Sequence, residues 1–376
     1  MHRVLSTMAF SIMAVVGLTM IDGGNVGAQR GERWGTDRQQ TPIVIAHRGA
    51  SGYVPEHTLA AYAISILQGA DFVEPDLVMT KDGHLIARHD NVLDLTTDVS
   101  RRPEFAGRKA TKTVDGARVT GWFSEDFTLG EIKTLRAIER IPGTRPANTR
   151  FDGQFEIPTL QEIIDLVQAY EKLLNRRIGI YIETKHPTYF ERLGLPFEEP
   201  LVKILRKNGY EGRNQRVFIQ SFEINNLRKL SRMTRIPLVQ LLWIEGKPYD
   251  VEAGGGTLTY EQMATPAGLA QIAAYAQGVG PEKRFIIPLD SSGNLDPSRV
   301  TRFVQDAHAV GLVVHPYTFR SENAFLPMNL RSSGDPTALG DGAGEMLLFL
   351  RTGIDGLFTD HTDQGVAARD AYVRTR

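Results

Sequence analysis

The chain contains no cysteine in its 376 residues. A disulfide framework, a thiolate metal site and a cysteine nucleophile are therefore all excluded, and the core must hold itself together by packing. A lipid-modified cysteine at a processed N-terminus is excluded as well. Charge of one sign is also lacking: 43 Lys and Arg stand against 44 Asp and Glu, a net charge of −1. There is no broad basic footprint for nucleic acid or an anionic membrane, so phosphate recognition has to be local to one pocket. Internal repeats and low-complexity tracts are missing. Beyond the first residues, no segment is long and apolar enough to span a bilayer.

The one long apolar run lies at the start. Arg3 gives it a basic beginning, Val4–Ile21 carries no charge, and Val26-Gly27-Ala28 resembles a small-residue cleavage site. The expectation is a signal peptide over residues 1–28 and a flexible mature N-terminus over 29–41. The product would be exported, periplasmic or secreted, with no membrane attachment after cleavage. An uncleaved anchor is the rival reading, since the run is only just long enough to cross.

From Pro42 onward, short β-rich runs alternate with longer helical patterns. The expected strands are Ile43–Ala46, Phe72–Thr80, Ile178–Thr184, Val217–Ser221, Leu238–Trp243, Gly278–Gly280, Gly311–Pro316 and Gly356–Thr359. The expected helices are Thr58–Gln68, Thr159–Asn175, Glu223–Met233, Glu261–Tyr275, Pro297–Ala309, Glu345–Arg351 and Asp363–Val373. Thr159-Leu160-Gln161-Glu162 spells a capping box after Pro158. Strand–helix alternation implies βαβ units and a parallel sheet. Eight such units fit an α/β fold of the closed TIM (β/α)₈ barrel type; an open doubly wound sheet is the alternative. Residues 92–157 are too long and too charged for a simple crossover, and they read as a small insertion subdomain after the second strand. One domain over 42–376 then accounts for the rest.

Four polar clusters end apolar runs: His47-Arg48-Gly49, Glu74-Pro75-Asp76, His89-Asp90 and Glu183-Thr184-Lys185. Alternate strand residues share a face, so Glu74 and Asp76 point together, with Glu183 at the end of the next strand. Taken alone, Glu-x-Asp is a solvated strand face. Inside the apolar run around Phe72, Val73, Leu77 and Val78, it instead calls for a cation or a proton. Oxygen-only ligands suit Ca²⁺ or Mg²⁺. Arg48 is suited to a two-pronged bond to phosphate, with Gly49 leaving room for close approach. His47 and His89 are suited to proton transfer near neutral pH. Lys185 shares the face of Glu183, as a phosphate contact or as charge balance. His57, His84, His186, His308 and His361 read as structural or surface residues, and His315 as a weaker site candidate. Phe222, Trp243, Tyr317, Phe319 and Phe358 fall at strand ends, where they would either pack the core or wall a substrate's carbon chain.

These residues resemble a known family. His47-Arg48-Gly49-Ala50 with Pro55-Glu56-His57-Thr58, Glu74 through Gly83, His89-Asp90, Glu183-Thr184-Lys185, Val314 through Thr318, and Gly356-Leu357-Phe358-Thr359-Asp360 are similar to the motifs of glycerophosphodiester phosphodiesterases. The likeness runs from about Pro42 to the C-terminus and is nearest the bacterial periplasmic branch. It implies a TIM barrel with a small insertion after the second strand, and hydrolysis of glycerophosphodiesters to sn-glycerol 3-phosphate and an alcohol. It implies His47 and His89 as the acid/base pair. Glu74, Asp76 and Glu183 become the ligands of a divalent metal, Ca²⁺ in that branch. Arg48 and Lys185 become the phosphate contacts, and the five aromatics a wall for glycerol. One departure is His57, where the family more commonly has Asn; it leaves that position's role open. Glu56 is either a metal ligand or a loop anchor. The rivals are a relative acting on phospholipid, lysophospholipid or teichoic acid, and a non-catalytic binding protein. An amidohydrolase would show an early His-x-His pair, which is absent. Oligomeric state is not legible.

Overall fold

The computed structural model describes residues 41–212 and 216–376. The expected signal peptide, and all of the expected flexible start except Thr41, lie outside them. Among the described residues, twelve strands run in chain order: β1 Ile43–Ala46, β2 Phe72–Val73, β3 Asp76–Met79, β4 Leu85–Ala87, β5 Ala110–Val114, β6 Ala117–Gly121, β7 Gly179–Thr184, β8 Val217–Ser221, β9 Leu238–Leu242, β10 Gly278–Pro281, β11 Val313–Val314 and β12 Gly356–Thr359. The main sheet pairs in parallel around a ring in the order β11, β10, β9, β8, β7, β2, β1, β12. The ring closes between β11 and β12 through backbone bonds, Asp355 N–H to Val314 O at 3.0 Å and Phe358 N–H to Pro316 O at 3.1 Å. This is a TIM-type barrel, and the open doubly wound sheet is ruled out.

Four expected elements are interrupted, in each case beside a proline. The run Phe72–Thr80 splits into β2 and β3 around Glu74 and Pro75, because Pro75 has no N–H to give a ladder. Both halves still pair with β7, and β3 turns back antiparallel onto β4. The run Gly311–Pro316 keeps only Val313–Val314 as strand. The helix expected over Glu261–Tyr275 ends at Met263 and restarts at Pro266, with Thr265 capping the Gly268 N–H. Over Pro297–Ala309, only Phe303–Ala309 is α-helical, after a 3₁₀ turn at Pro297–Arg299.

Between β4 and the helix Leu160–Leu174 lies the segment that lengthens the second crossover. It holds the β5–β6 ribbon, several 3₁₀ turns and a short helix Leu129–Ile132, closed by a capping box from Thr128 and Glu131. Its apolar residues Val99, Phe105, Phe123 and Phe127 are buried in the same cluster as the barrel's outer face. It is packed onto the barrel rather than standing apart.

The molecule has two apolar layers. One lies between strands and helices. The other fills the barrel itself with Ile45, Phe72, Tyr181, Phe218, Val239 and Phe358. Gly179 is required here: a Cβ at that position would sit 2.1 Å from the Phe72 ring. Along β7, Gly179, Tyr181 and Glu183 face inward in turn. The strand thus climbs from a space for a ring, to a ring, to a carboxylate at the barrel's C-terminal mouth.

Candidate active site

The acidic residues meet because of register. Asp76 on β3 is the cross-strand partner of Glu183 on β7, so the two side chains stand side by side. Glu74 stands just before the Pro75 break, and its N–H bonds to Ala46 O at 3.1 Å. Glu74, Asp76 and Glu183 are all buried, and each offers an oxygen within 4.8 Å of the others. At that spacing each charged pair repels by roughly 3–4 kcal/mol at an effective dielectric of 20. Burial, aided by Asp76 and Glu183, pushes the Glu74 carboxyl well above its ordinary value. Burial, aided by Asp76, lifts Glu183 to about 7 against the opposing charge of Lys185. Burial works against the Asp76 charge too, but His57, Lys185 and Arg48 outweigh it and keep this group ionised.

A divalent cation fits these residues. The donors are all oxygens, and Asp76 Oδ1 is buried with no hydrogen-bond partner. A cation there would satisfy that oxygen and relieve the crowding.

His47 follows β1, and its Nδ1 lies 2.5 Å from Asp360 Oδ1, just beyond β12. His89 follows β4, and its Nδ1 lies 2.8 Å from Asp90 Oδ1. With a carboxylate at Nδ1, each ring carries its proton there and keeps Nε2 as the lone-pair nitrogen. His47 Nε2 lies 3.9 Å from Glu74 Oε2. Burial, then the Arg48 charge, lowers His47 to about 4. Burial, Arg48 and Lys185 hold His89 below its ordinary value as well. Both imidazoles are therefore neutral at pH 7.

Arg48 adopts a left-handed backbone, φ 60°, and its N–H donates to Glu74 Oε2 at 3.0 Å. Its Nη1 donates to Glu56 Oε2 at 2.9 Å. Glu56 also takes Arg140 Nε and Nη2 at 2.8–3.0 Å. Glu56 thus anchors arginines and does not join the three-carboxylate group. Lys185 Nζ lies 2.6 Å from Glu183 Oε1, so charge balance is part of its role. Behind the loop, the fully buried Arg88 donates only to backbone oxygens: Ala87, Thr96, Glu56 and His57.

Of the two readings open for His57, structural or surface, the structure shows the first. This residue is fully buried, with Nε2 3.0 Å from Asp76 Oδ2 and Nδ1 2.8 Å from Tyr62 Oη. An Asn amide would fill the same kind of position, as a donor to Asp76. Asp360, Asp90, Arg140 and Arg145 were also not singled out as site residues. Asp90 and Asp360 sat inside quoted motifs, which was the available signal; the two arginines carried none.

A cavity of about 850 Å³ opens over the mouth, lined by His47, Arg48, Glu74, His89, Glu183 and Lys185. Phe222, Trp243, Tyr317 and Phe358 also line it. Trp243 stacks on Tyr317 at 6.3 Å, and Phe222 meets Tyr317 edge-on at 6.0 Å. Phe319 does not belong to this wall. It is fully buried against Phe349, since the chain after Tyr317 turns its side chain into the outer core. His315 is likewise inside the barrel, where its Nδ1 bonds Tyr181 Oη at 2.9 Å.

A parallel barrel with its ionisable side chains gathered at the C-terminal ends of the strands defines a TIM-barrel enzyme. Solved structures share the fold. They include an Oleispira antarctica phosphodiesterase in complex with the product sn-glycerol-3-phosphate (TM-score 0.57, 20% identity, covering 88% of this chain and 97% of that one). A glycerophosphodiester phosphodiesterase from Agrobacterium tumefaciens is similar too (TM-score 0.52, 18% identity, 87% and 99% covered). In sequence, the model of the glycerophosphoryl diester phosphodiesterase family matches residues 47–364. A glycerophosphodiester phosphodiesterase of Arabidopsis thaliana is 38% identical over 333 residues, covering 85% of this chain and 84% of its own. One from Haemophilus influenzae is 32% identical over 352 residues, covering 88% and 90%. The chain belongs to the glycerophosphoryl diester phosphodiesterase family.

Proposed function

We propose that this protein hydrolyses glycerophosphodiesters to sn-glycerol 3-phosphate and an alcohol, with His47 and His89 as the acid–base pair and Ca²⁺ on Glu74, Asp76 and Glu183. One observation carries the reading: two neutral imidazoles, each with a carboxylate at Nδ1, face one cavity with Glu74, Glu183 and the Arg48 guanidinium, and Asp76 stands beside those two carboxylates. A divalent cation, when bound, supplies positive charge at the non-bridging phosphate oxygens; Mg²⁺ is the alternative to Ca²⁺. Arg48 and Lys185 add fixed charge for the same oxygens. One imidazole Nε2 accepts the proton of the attacking hydroxyl, and the other, protonated, gives its proton to the departing alcohol oxygen. A bound phosphodiester anion offsets Arg48 and Lys185 and so favours that protonated imidazole. The attacking hydroxyl is either the glycerol 2-OH, giving a cyclic phosphate that water then opens, or water itself. Trapping a cyclic glycerol phosphate during turnover separates the two routes.

The glycerol carbons would lie against Phe222, Trp243, Tyr317 and Phe358. The chain would reach this substrate outside the cytoplasm, after cleavage behind Ala28; among the described residues, no helix is long and apolar enough to cross a membrane. The test is release of glycerol 3-phosphate from glycerophosphocholine after metal stripping, with add-back of Ca²⁺, Mg²⁺ and Mn²⁺. His47→Ala and His89→Ala should each cost roughly 10²–10⁴ in kcat. Near-normal turnover in both would overturn the assignment. A second reading, a lysophospholipid substrate, is favoured by the apolar outer wall of the same cavity, with Leu289, Leu295, Leu326 and Met328. Faster turnover of lysophosphatidylcholine than of glycerophosphocholine would support it.

A further inference from the structure

Each active-site histidine rests on an aspartate, and each aspartate is gripped from its far side by an arginine of the segment between β4 and the helix Leu160–Leu174. His89 Nδ1 meets Asp90 Oδ1 at 2.8 Å, and Arg140 Nη1 donates to Asp90 Oδ2 at 2.7 Å. His47 Nδ1 meets Asp360 Oδ1 at 2.5 Å, and Arg145 Nη2 donates to Asp360 Oδ2 at 2.6 Å. The two chains of contact are alike in their atoms, although Asp90 adjoins its histidine in sequence and Asp360 lies 313 residues from its own. Both arginines sit on one short loop. Its turn is pinned by Glu139 N–H to Asp152 Oδ1 at 2.7 Å, Ile141 N–H to Glu139 Oε1 at 2.9 Å and Arg145 N–H to Ile141 O at 2.9 Å. Asn148 Nδ2 adds a bond to Glu139 Oε2 at 2.9 Å.

We infer that Arg140 and Arg145 are paired positioning residues, through which this one loop sets the tautomer and aim of both imidazoles. The inference rests on the acid–base reading of His47 and His89. A carboxylate with one oxygen fixed by a guanidinium cannot swing about its terminal torsion, so its other oxygen stays at Nδ1. That keeps the proton on Nδ1 and the lone pair on Nε2. The barrel mouth supplies the imidazoles. Asp360 has further help from Arg320 Nε at 2.9 Å, whereas among the described residues Arg140 is the one arginine on Asp90.

Arginine cannot be replaced by lysine here, because its planar fork reaches several acceptors at once. Arg140 holds both Asp90 and Glu56, and Arg145 holds Asp360, Glu322 and the Ser51 carbonyl. A single ammonium can serve only part of each set. The experiment therefore compares Arg140→Lys and Arg145→Lys in the mature chain. It measures kcat and KM on glycerophosphocholine, the melting temperature, and the ¹⁵N signals of labelled imidazoles.

The expected result is a fall in kcat of at least tenfold in each variant with KM within threefold. Arg140→Lys should shift the His89 signals and leave His47 alone, and Arg145→Lys should do the reverse. Four outcomes overturn the inference: kcat within threefold of wild type in both variants, a rise in KM alone, unchanged imidazole signals, or equal disturbance of both rings by either variant. A rise in KM alone would place Arg140's effect on Glu56 and Arg48 instead. Arg145 is deeply buried, so its variant could fail to fold; Arg140 is more exposed, and the Arg140→Lys result by itself then decides. His47→Ala and His89→Ala form the separate first arm. Full turnover there overturns the acid–base reading, whereas loss there with intact lysine variants overturns only the role given to the arginines.

Discussion

Replacing Asp360 by Asn should disable His47 without moving it. The side chains are nearly the same shape, but Asn has one oxygen and one NH₂ where Asp has two oxygens. Asp360 Oδ2 accepts from Arg145 Nη2 at 2.6 Å and Arg320 Nε at 2.9 Å. Guanidinium groups only donate, so the Asn oxygen must face them. The NH₂ is then left pointing at His47 Nδ1, where Asp360 Oδ1 had stood at 2.5 Å. A donor there forces Nδ1 to accept, and the proton moves to Nε2. The imidazole can no longer take a proton from the substrate side. The same change beside the histidine of a serine-protease triad costs about 10⁴ in kcat, so a loss of roughly 10²–10⁴ is expected here.

Stability should suffer less than in an ordinary broken ion pair, for which about 3–5 kcal/mol is usual. The Asn oxygen still accepts, and Arg145 keeps Glu322. The assay is kcat at pH 7.5 alongside ¹⁵N tautomer shifts for His47 and a thermal melt. A kcat within threefold of wild type in a folded variant would refute the reasoning, as would a His47 ring that still carries its proton on Nδ1.

Three other expectations follow from the same geometry. Ca²⁺ at a hundred times its Kd should raise stability by about 2.7 kcal/mol, or roughly 4 °C in Tm for a domain of this length; Glu183→Gln should abolish most of that shift, and a chelator that changes neither Tm nor turnover would count against the metal. His315 has a folded pKa of about 4, lowered by burial from 6.5. The unfolded chain therefore binds its proton first, so this contribution is complete above about pH 6.5 and drains away as pH falls toward 4, a loss on the order of 3 kcal/mol; His315→Gln should flatten the fall in Tm between pH 7 and 5, and equal slopes in both proteins would contradict it. Gly179→Ala would place a Cβ 2.1 Å from the Phe72 ring, and overpacking of this kind costs about 1–3 kcal/mol; a melting temperature unchanged within error would show that the ring has room to move.

Much of the site was readable because its signals are local. Glu74, Asp76, Glu183 and Lys185 stand at the ends of apolar runs, and a charged group in such a run must find a partner. The capping box at Thr159 was legible for the same reason, since donor and acceptor lie three residues apart. The role of His57 stayed open because its partner Asp76 lies 19 residues away, beyond a helix and a strand. Asp360 escaped a role because it meets His47 over a separation of 313 residues. Phe319 was offered as core packing or substrate wall because it falls near a strand end, but the strand stops at Val314, and only the packed structure shows its ring against Phe349.

The sequence alone determined the succession of strands and helices, the residue types at the mouth and the near-neutral charge. These depend on side-chain period and on groups a few positions apart. Only the tertiary structure decided that Asp76 and Glu183 stand in register, that the ring closes beside Pro316, and that one loop reaches both histidine-bearing aspartates. Those facts depend on contacts made only when distant segments are packed together, and no local pattern encodes the distance between them.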